Sequence, residues 1–324
     1  MPLKQQSRVS KGKLRVSADS LNVRKSASLQ AAIVGSVNQG DIVDWLDSSA
    51  DENWCQIQKD NLTGWSSHRF LVPETPAAAP GPLDEIIQIA AQSAIAAYKW
   101  KNRGVAPRGY IKGMALVYAR VYCKLKAGDA AAVEMAKANT GVAAKDALEW
   151  FKKILQDAGM NNEAAGVNTL RHLFVLLIGL GMRESSGSYC EGRDQSADNV
   201  TSDTAEAGLF QASFDARTGS PLMPKLFEQY SANPSGFLDL FKEGVKCTAA
   251  GLNNFGSGDG KEFQRLTKAC PAFAAEFAAV GLRNIRKHWG PINRKETEVR
   301  PEANLMLTQV EHAVDTSNLC PAVA

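Results

Sequence analysis

Glu184 is the residue best placed to do chemistry. It closes a strongly apolar run, 173–182, and is followed by Ser185-Ser186-Gly187. An acid that protonates the oxygen of a sugar bond must be un-ionised near neutral pH, which requires its carboxyl pKa to rise by roughly two units. Two features of this position push that way. A carboxyl at the end of an apolar helix is partly withdrawn from water, and the helix C-terminus disfavours a negative charge. Arg183 opposes both unless it faces away. Further along, Ala207-Gly208-Leu209-Phe210-Gln211 reads as the wall of a cleft. Other catalytic patterns are absent: there is no HExxH, GxSxG or phosphate-binding loop, and no carboxylate cluster with metal-ligand spacing. Asp259, between two glycines, reads as a turn. His172 lies inside the apolar run and reads as a core histidine.

The elements that must position these residues fall into two blocks. Residues 12–73 carry short alternating segments at 13–17, 21–24, 32–37, 41–46, 54–58 and 62–66, separated by turn residues, which predicts a small all-β barrel. Four prolines in 72–82 predict an extended linker. From 83 to about 315 the periodicity is helical, with helices expected at 83–101, 110–126, 130–138, 145–158, 221–230, 234–244, 261–266 and 272–287. Asn168 or Thr169 can cap the helix that carries the apolar run. That helix is apolar on every face and should lie at the centre of its domain. The polar stretch 187–203 reads as a loop. The expected domains are thus 1–73, the linker 74–82, and 83–324.

Composition sets the outer bounds. The 324 residues are 44% hydrophobic and 22% charged, with a formal net charge of +3. This fits a soluble globular chain and is too weakly basic to argue for nucleic acid. The apolar run is too short to span a bilayer. Residues 1–14 contain Lys4, Arg8, Lys11 and Lys13 but no apolar core, so no secretory signal is read there. Either a signal has been removed or export follows another route. Of six cysteines, Cys190, Cys247, Cys270 and Cys320 lie late in the chain. One or two disulfides there would suit an enzyme working outside the cytoplasm, with the pairing open.

Two resemblances add to this reading. Leu21-Asn22-Val23-Arg24, then Gly35-Ser36-Val37 with Gly40-Asp41, then Gly64-Trp65-Ser66-Ser67 with Phe70-Leu71, resemble the bacterial SH3-like family in order and spacing. Trp45, Trp54 and Trp65 would offer aromatic faces for a peptide. In the second block, Glu184-Ser185-Ser186-Gly187, Gly208-Leu209-Phe210-Gln211 and Ala249-Ala250-Gly251-Leu252-Asn253-Asn254-Phe255 resemble three successive motifs of soluble lytic transglycosylases and goose-type lysozymes. Phe210 replaces the usual Met, Ser213 stands where goose-type enzymes carry an Asp, and the gap from Glu184 to Gly208 is long.

The resemblance implies an N-terminal SH3-like barrel plus a mainly α, lysozyme-like catalytic domain. The activity expected is that of a muramidase cleaving the β-1,4 bond between N-acetylmuramic acid and N-acetylglucosamine. Glu184 would be the general acid. Gln211 would bond the acetamido group or the acid, Ser185 and Asn254 would line the substrate, and Tyr189 and Phe214 would stack on sugar rings, as would Phe255. A lytic transglycosylase needs only the one Glu, whereas an inverting hydrolase needs a second carboxylate. Asp203 and Glu206 are the candidates because the Gly208–Gln211 segment must approach Glu184; Asp215 is weaker. No metal or cofactor is expected. The expected partners are the peptidoglycan glycan and its stem peptide, acted on in the periplasm or outside the cell. With no signal read, an immunity-type inhibitor, a secretion apparatus or phage lysis would complete the biology. A chitinase-type glycosidase and a non-catalytic wall-binding protein are the alternatives.

Overall fold

A computed structural model describes residues 10–74, 81–194 and 200–323. Asp198, in the long gap, lies outside the described residues. The chain forms two compact units, 1–80 and 81–324.

The first unit is one seven-stranded antiparallel sheet in the order β3-β2-β6-β5-β4-β1-β7. Its strands are β1 (Gly12–Val16), β2 (Ser20–Arg24), β3 (Ile33–Asn38), β4 (Ile42–Ser48), β5 (Trp54–Lys59), β6 (Leu62–Ser67) and β7 (Leu71–Pro73). Alternation decides which face is buried: Leu14, Val16, Leu21, Val23, Val43 and Ile57 point into one core while Lys13, Arg15 and Asn22 stay exposed. Strand β7 falls partly where the sequence predicts linker. Its residues 71–73 pair with β1 through Val16↔Leu71, Arg15↔Val72 and Leu14↔Pro73. Pro73 is tolerated because β7 is a sheet edge.

The second unit is helical, built around Val167–Ser185. From Leu173 to Met182 every residue of this central helix is buried, so its apolar faces all meet protein. Long helices at Arg108–Lys126, Pro271–Asn284 and Pro301–Thr316 pack against it. Several expected helices are shorter or broken, each for a local reason. The one expected over 83–101 stops as Asp84–Gln92, because Ser93 turns extended and its Oγ takes the Ala90 carbonyl at 2.6 Å. The chain then forms a small hairpin, β8 (Lys99–Trp100) with β9 (Gly104–Val105). The helix expected over 145–158 divides at Phe151 into Ala147–Trp150 and Lys152–Asp157, and 234–244 keeps only Leu238–Phe241. The central helix is capped by Gly166 rather than by Asn168 or Thr169. Thr169 Oγ1 donates to the Ala164 carbonyl at 2.6 Å, and Asn168 Oδ1 accepts from Arg171, so both side chains are engaged inside the first turn.

Disulfides join Cys123 to Cys320 and Cys190 to Cys247. The first draws in Cys123, outside the late group singled out from the sequence. Cys55 and Cys270 are buried thiols.

Gly179 lets the segment containing Glu298 lie directly on the central helix. A Cβ at this position would stand 2.2 Å from the Glu298 carbonyl oxygen, which is backbone and cannot swing away. Gly179→Ala is expected to cost roughly 1–3 kcal/mol, read as a lowered denaturant midpoint with an unchanged slope.

Candidate active site

The central helix ends where its sequence changes character. Ser186 adopts the left-handed conformation at φ 54° and its N–H bonds the Met182 carbonyl at 3.1 Å, while Gly187 N–H reaches Gly181 O at 3.2 Å. This cap stops the helix immediately after Glu184 and Ser185. Ser185 is buried, and its Oγ hydrogen-bonds both Gly181 O, at 3.0 Å, and Leu209 O, at 2.8 Å. That second bond fastens the 207–212 segment to the helix end. The segment closes on itself: Ala207 bridges Ala212, Gly208 sits at φ 75°, and Gln211 at φ 44° donates Nε2 to Gly208 O at 3.1 Å. Trp289 Nε1 supports it from below, donating to Phe210 O at 2.8 Å.

Beside this junction lies a cleft of about 580 Å³ that contains Glu184, Glu206 and Gln211 together with Arg103, Arg294 and Glu296. Glu184 is half-buried, and among the described residues its carboxyl has neither a hydrogen bond nor an ion pair. Its pKa is raised from the usual 4.5 to about 8, first by burial and second by the negative charge of Glu206. Arg294, Arg103 and Arg183 pull the other way but less strongly. The reason is visible in the pairing: Arg183 bonds Glu296 at 3.2 Å and Arg294 bonds the same carboxylate at 2.9 Å, so two of these cations are already compensated. At neutral pH Glu184 therefore carries a proton that it can donate into the cleft.

The two candidate second carboxylates separate. Ala205 and Ala207 are buried at 0% and 2% exposure, so the alternation of an extended stretch turns Glu206 outward into the cleft. Asp203 lies elsewhere, against Gly260 at the start of the helix Gly258–Ala269 and accepting from Ser202 Oγ at 3.4 Å. Asp215 pairs with Arg217 at 3.5 Å and does not line the cleft.

None of the expected aromatic platforms lines the cleft. Phe214 is 6% exposed and belongs to the core, with its ring 5.3 Å from Phe227 and 5.9 Å from Phe263. Phe255 lies under the Arg193 guanidinium at 4.1 Å. Tyr189 is partly buried against the main core. Asn254 is also outside the cleft, and its buried Oδ1 has no hydrogen-bond partner among the described residues. The neighbouring strand of chain is held by Lys268, whose Nζ donates to Gly251 O at 2.9 Å and Asn253 O at 2.7 Å. For Phe214 and Tyr189 the reason is packing: large rings beside a forming core are drawn into it. His172 is a core residue, its Nδ1 2.7 Å from Asn162 Oδ1, and burial lowers its pKa to about 4.

Sequence reasoning missed Arg103, which lies 81 positions before Glu184, and Arg294 and Glu296, which lie 110 and 112 positions after it. Only Arg103 carries a local signal, the turn-forming Asn102 and Gly104 on either side of it. Among the described residues no group of three His, Cys, Asp or Glu is arranged to hold a metal, and no helix is long and apolar enough to cross a membrane.

In the first unit, Trp54, His68 and Arg69 line a second cavity of about 580 Å³ with Leu29, Glu52 and Asn53. Trp54 is the one tryptophan of the three that lines it; Trp45 packs on the core of the sheet.

Comparison with known proteins bears on this first unit. Residues 19–72 match the family model of the bacterial SH3 domain, so the N-terminal unit is a bacterial SH3 domain followed by a mostly helical region. No curated protein and no solved structure matches the chain.

Proposed function

We propose that this protein is a peptidoglycan-degrading muramidase in which Glu184 is the general acid. The carrying observation is a single carboxyl, half-buried at the end of a helix buried throughout Leu173–Met182, unpaired among the described residues and raised to about 8 in an open cleft. Burial of an acid beside a second carboxylate is how an enzyme keeps one carboxyl protonated and its neighbour charged. Glu184 protonates the leaving oxygen. Of the other carboxylates lining the cleft, Glu206 is the one whose charge acts on Glu184, and we assign it the activation of water, which favours hydrolysis over the ring-closing route. The bacterial SH3 domain supports a bacterial-wall substrate: its Trp54 cavity offers an aromatic face and exposed backbone to a stem peptide, and tethering raises the local concentration of glycan at the cleft.

Mass spectrometry of the sugars released from purified peptidoglycan tests the reading. Reducing ends are expected. Anhydro-muramic ends would keep the muramidase and remove Glu206 as base. No release by folded protein would refute the assignment.

A further inference from the structure

We propose that Arg103 is a specificity residue: it takes a carboxylate of the substrate beside Glu184, so that the cleft selects an acid-bearing glycan over a neutral one. This rests on the reading of the cleft as a glycan site. Four arginines line the cleft, and one of them, Arg193, lies over the Phe255 ring at 4.1 Å. Arg183 and Arg294 share Glu296. Arg103 is exposed, and among the described residues its side chain makes one hydrogen bond, from Nη2 to the Arg183 carbonyl at 2.5 Å, and no ion pair. Its Nε and Nη1 donors are left for a ligand. A guanidinium presents those donors as a planar fork that matches a carboxylate.

The fold anchors the turn that carries this arginine. Arg103 sits on the β8–β9 turn, closed by Arg103 N–H to Trp100 O at 3.0 Å, with Asn102 at φ 59° and Gly104 at φ 72°. Glu298 anchors the hairpin from below: one carboxylate oxygen accepts Lys101 N–H at 2.8 Å and the other accepts the Tyr98 hydroxyl at 2.7 Å. Trp100 is 3% exposed and meets the Tyr98 ring edge-on at 5.2 Å. A turn anchored in this way loses little freedom when its side chain engages a ligand. Glu298 in turn lies on the central helix at Gly179, the helix that carries Glu184. Acid and cation are therefore mounted on one frame.

Peptidoglycan offers a carboxylate on every second sugar, as the lactyl acid where the peptide has been removed and as peptide acids where it is present. Chitin offers none. A charge-assisted pair in a half-open cleft is worth about tenfold in affinity.

The test is calorimetric and uses the full chain carrying Glu184→Gln, so that nothing is cut. The probes are a bare glycan tetrasaccharide with free lactyl acids, the same compound with those acids amidated, a peptide-bearing tetrasaccharide, and neutral chitotetraose. The acid forms are expected to bind about tenfold tighter than the amidated and neutral ones. Adding Arg103→Gln should erase that preference and leave the neutral affinities unchanged, and Arg103→Lys should retain part of it. An effect confined to the bare glycan assigns the lactyl acid; one confined to the peptide-bearing form assigns a peptide acid. The SH3 domain is common to all variants, so its contribution cancels between them. Equal weakening of every probe, or no preference in the parent, would overturn the proposal. Failure of the wild type to release sugar, with the Arg103-dependent preference intact, would instead sink the muramidase reading and leave an acid-selective glycan cleft.

Discussion

Glu184→Gln is expected to lower wall degradation by at least ~10²-fold while leaving the protein folded and, at alkaline pH, more stable than wild type. The two halves of this result have one cause. Burial and the Glu206 charge raise the Glu184 carboxyl from 4.5 to about 8. Between those values the folded protein holds a proton that the unfolded chain has released. Stability therefore falls as pH rises from 4.5 towards 8, and the loss is complete above it. An amide does not ionise and escapes this penalty. Because Glu184 is only half-buried, solvent screening reduces the gain, which is placed at about 2 kcal/mol near pH 9 and near zero at pH 4. Thermal unfolding of both proteins across that range gives the stability curve, and turbidity loss of purified peptidoglycan gives the activity. A variant that retains full activity, or one whose stability tracks wild type at every pH, would show that Glu184 is an ordinary charged side chain.

Glu206→Gln should have the next largest effect and a different signature. On the hydrolytic route it removes the group that activates water, so the rate at neutral pH falls by ~10²-fold. It also removes the second cause of the raised Glu184 pKa. The acid then ionises more readily, and the alkaline limb of kcat/KM, set near 8 by loss of the Glu184 proton, moves towards lower pH by roughly one unit. Glu206→Asp keeps the charge and should keep the limb. Asp203→Asn, outside the cleft against Gly260, should change neither quantity. Were the products anhydro sugars, Glu206→Gln would shift the limb without the rate loss. An unmoved limb would separate Glu206 from Glu184 altogether.

These expectations rest on different depths of information. The sequence alone determined that residues 12–73 alternate with period two and that the second block is helical, because both patterns record which side of an element meets water. It also determined that the helix ending at Glu184 must be central, since a helix apolar on every face has no side to leave in solvent. Turn chemistry was legible only in part: Asp259 between two glycines reads as a turn, yet it lies in the first turn of the helix Gly258–Ala269, because two glycines at a helix start do not prevent it. The Ser93 break was not legible: a serine that takes its own helix's carbonyl looks, in sequence, like any exposed polar residue.

The composition of the cleft was a tertiary matter. Glu206 lines the cleft with Glu184 and Asp203 does not, although both were equally eligible three residues apart. The difference is that Ala205 and Ala207 bury on either side of Glu206, which no property of the acids themselves reveals. Phe214 and Tyr189 were reasonable sugar platforms by residue type, but ring packing against Phe227 and Phe263 in one case, and against the main core in the other, kept both out of the cleft. Arg103, Arg294 and Glu296 reach the cleft from distant positions, joined by the hairpin anchored on Glu298 and by the shared Glu296 carboxylate. Local sequence determined the elements and the one acid at a helix end. Which charges surround that acid, and so whether it holds a proton at neutral pH, depended on burial and long-range pairing, and these exist only once the chain has closed on itself.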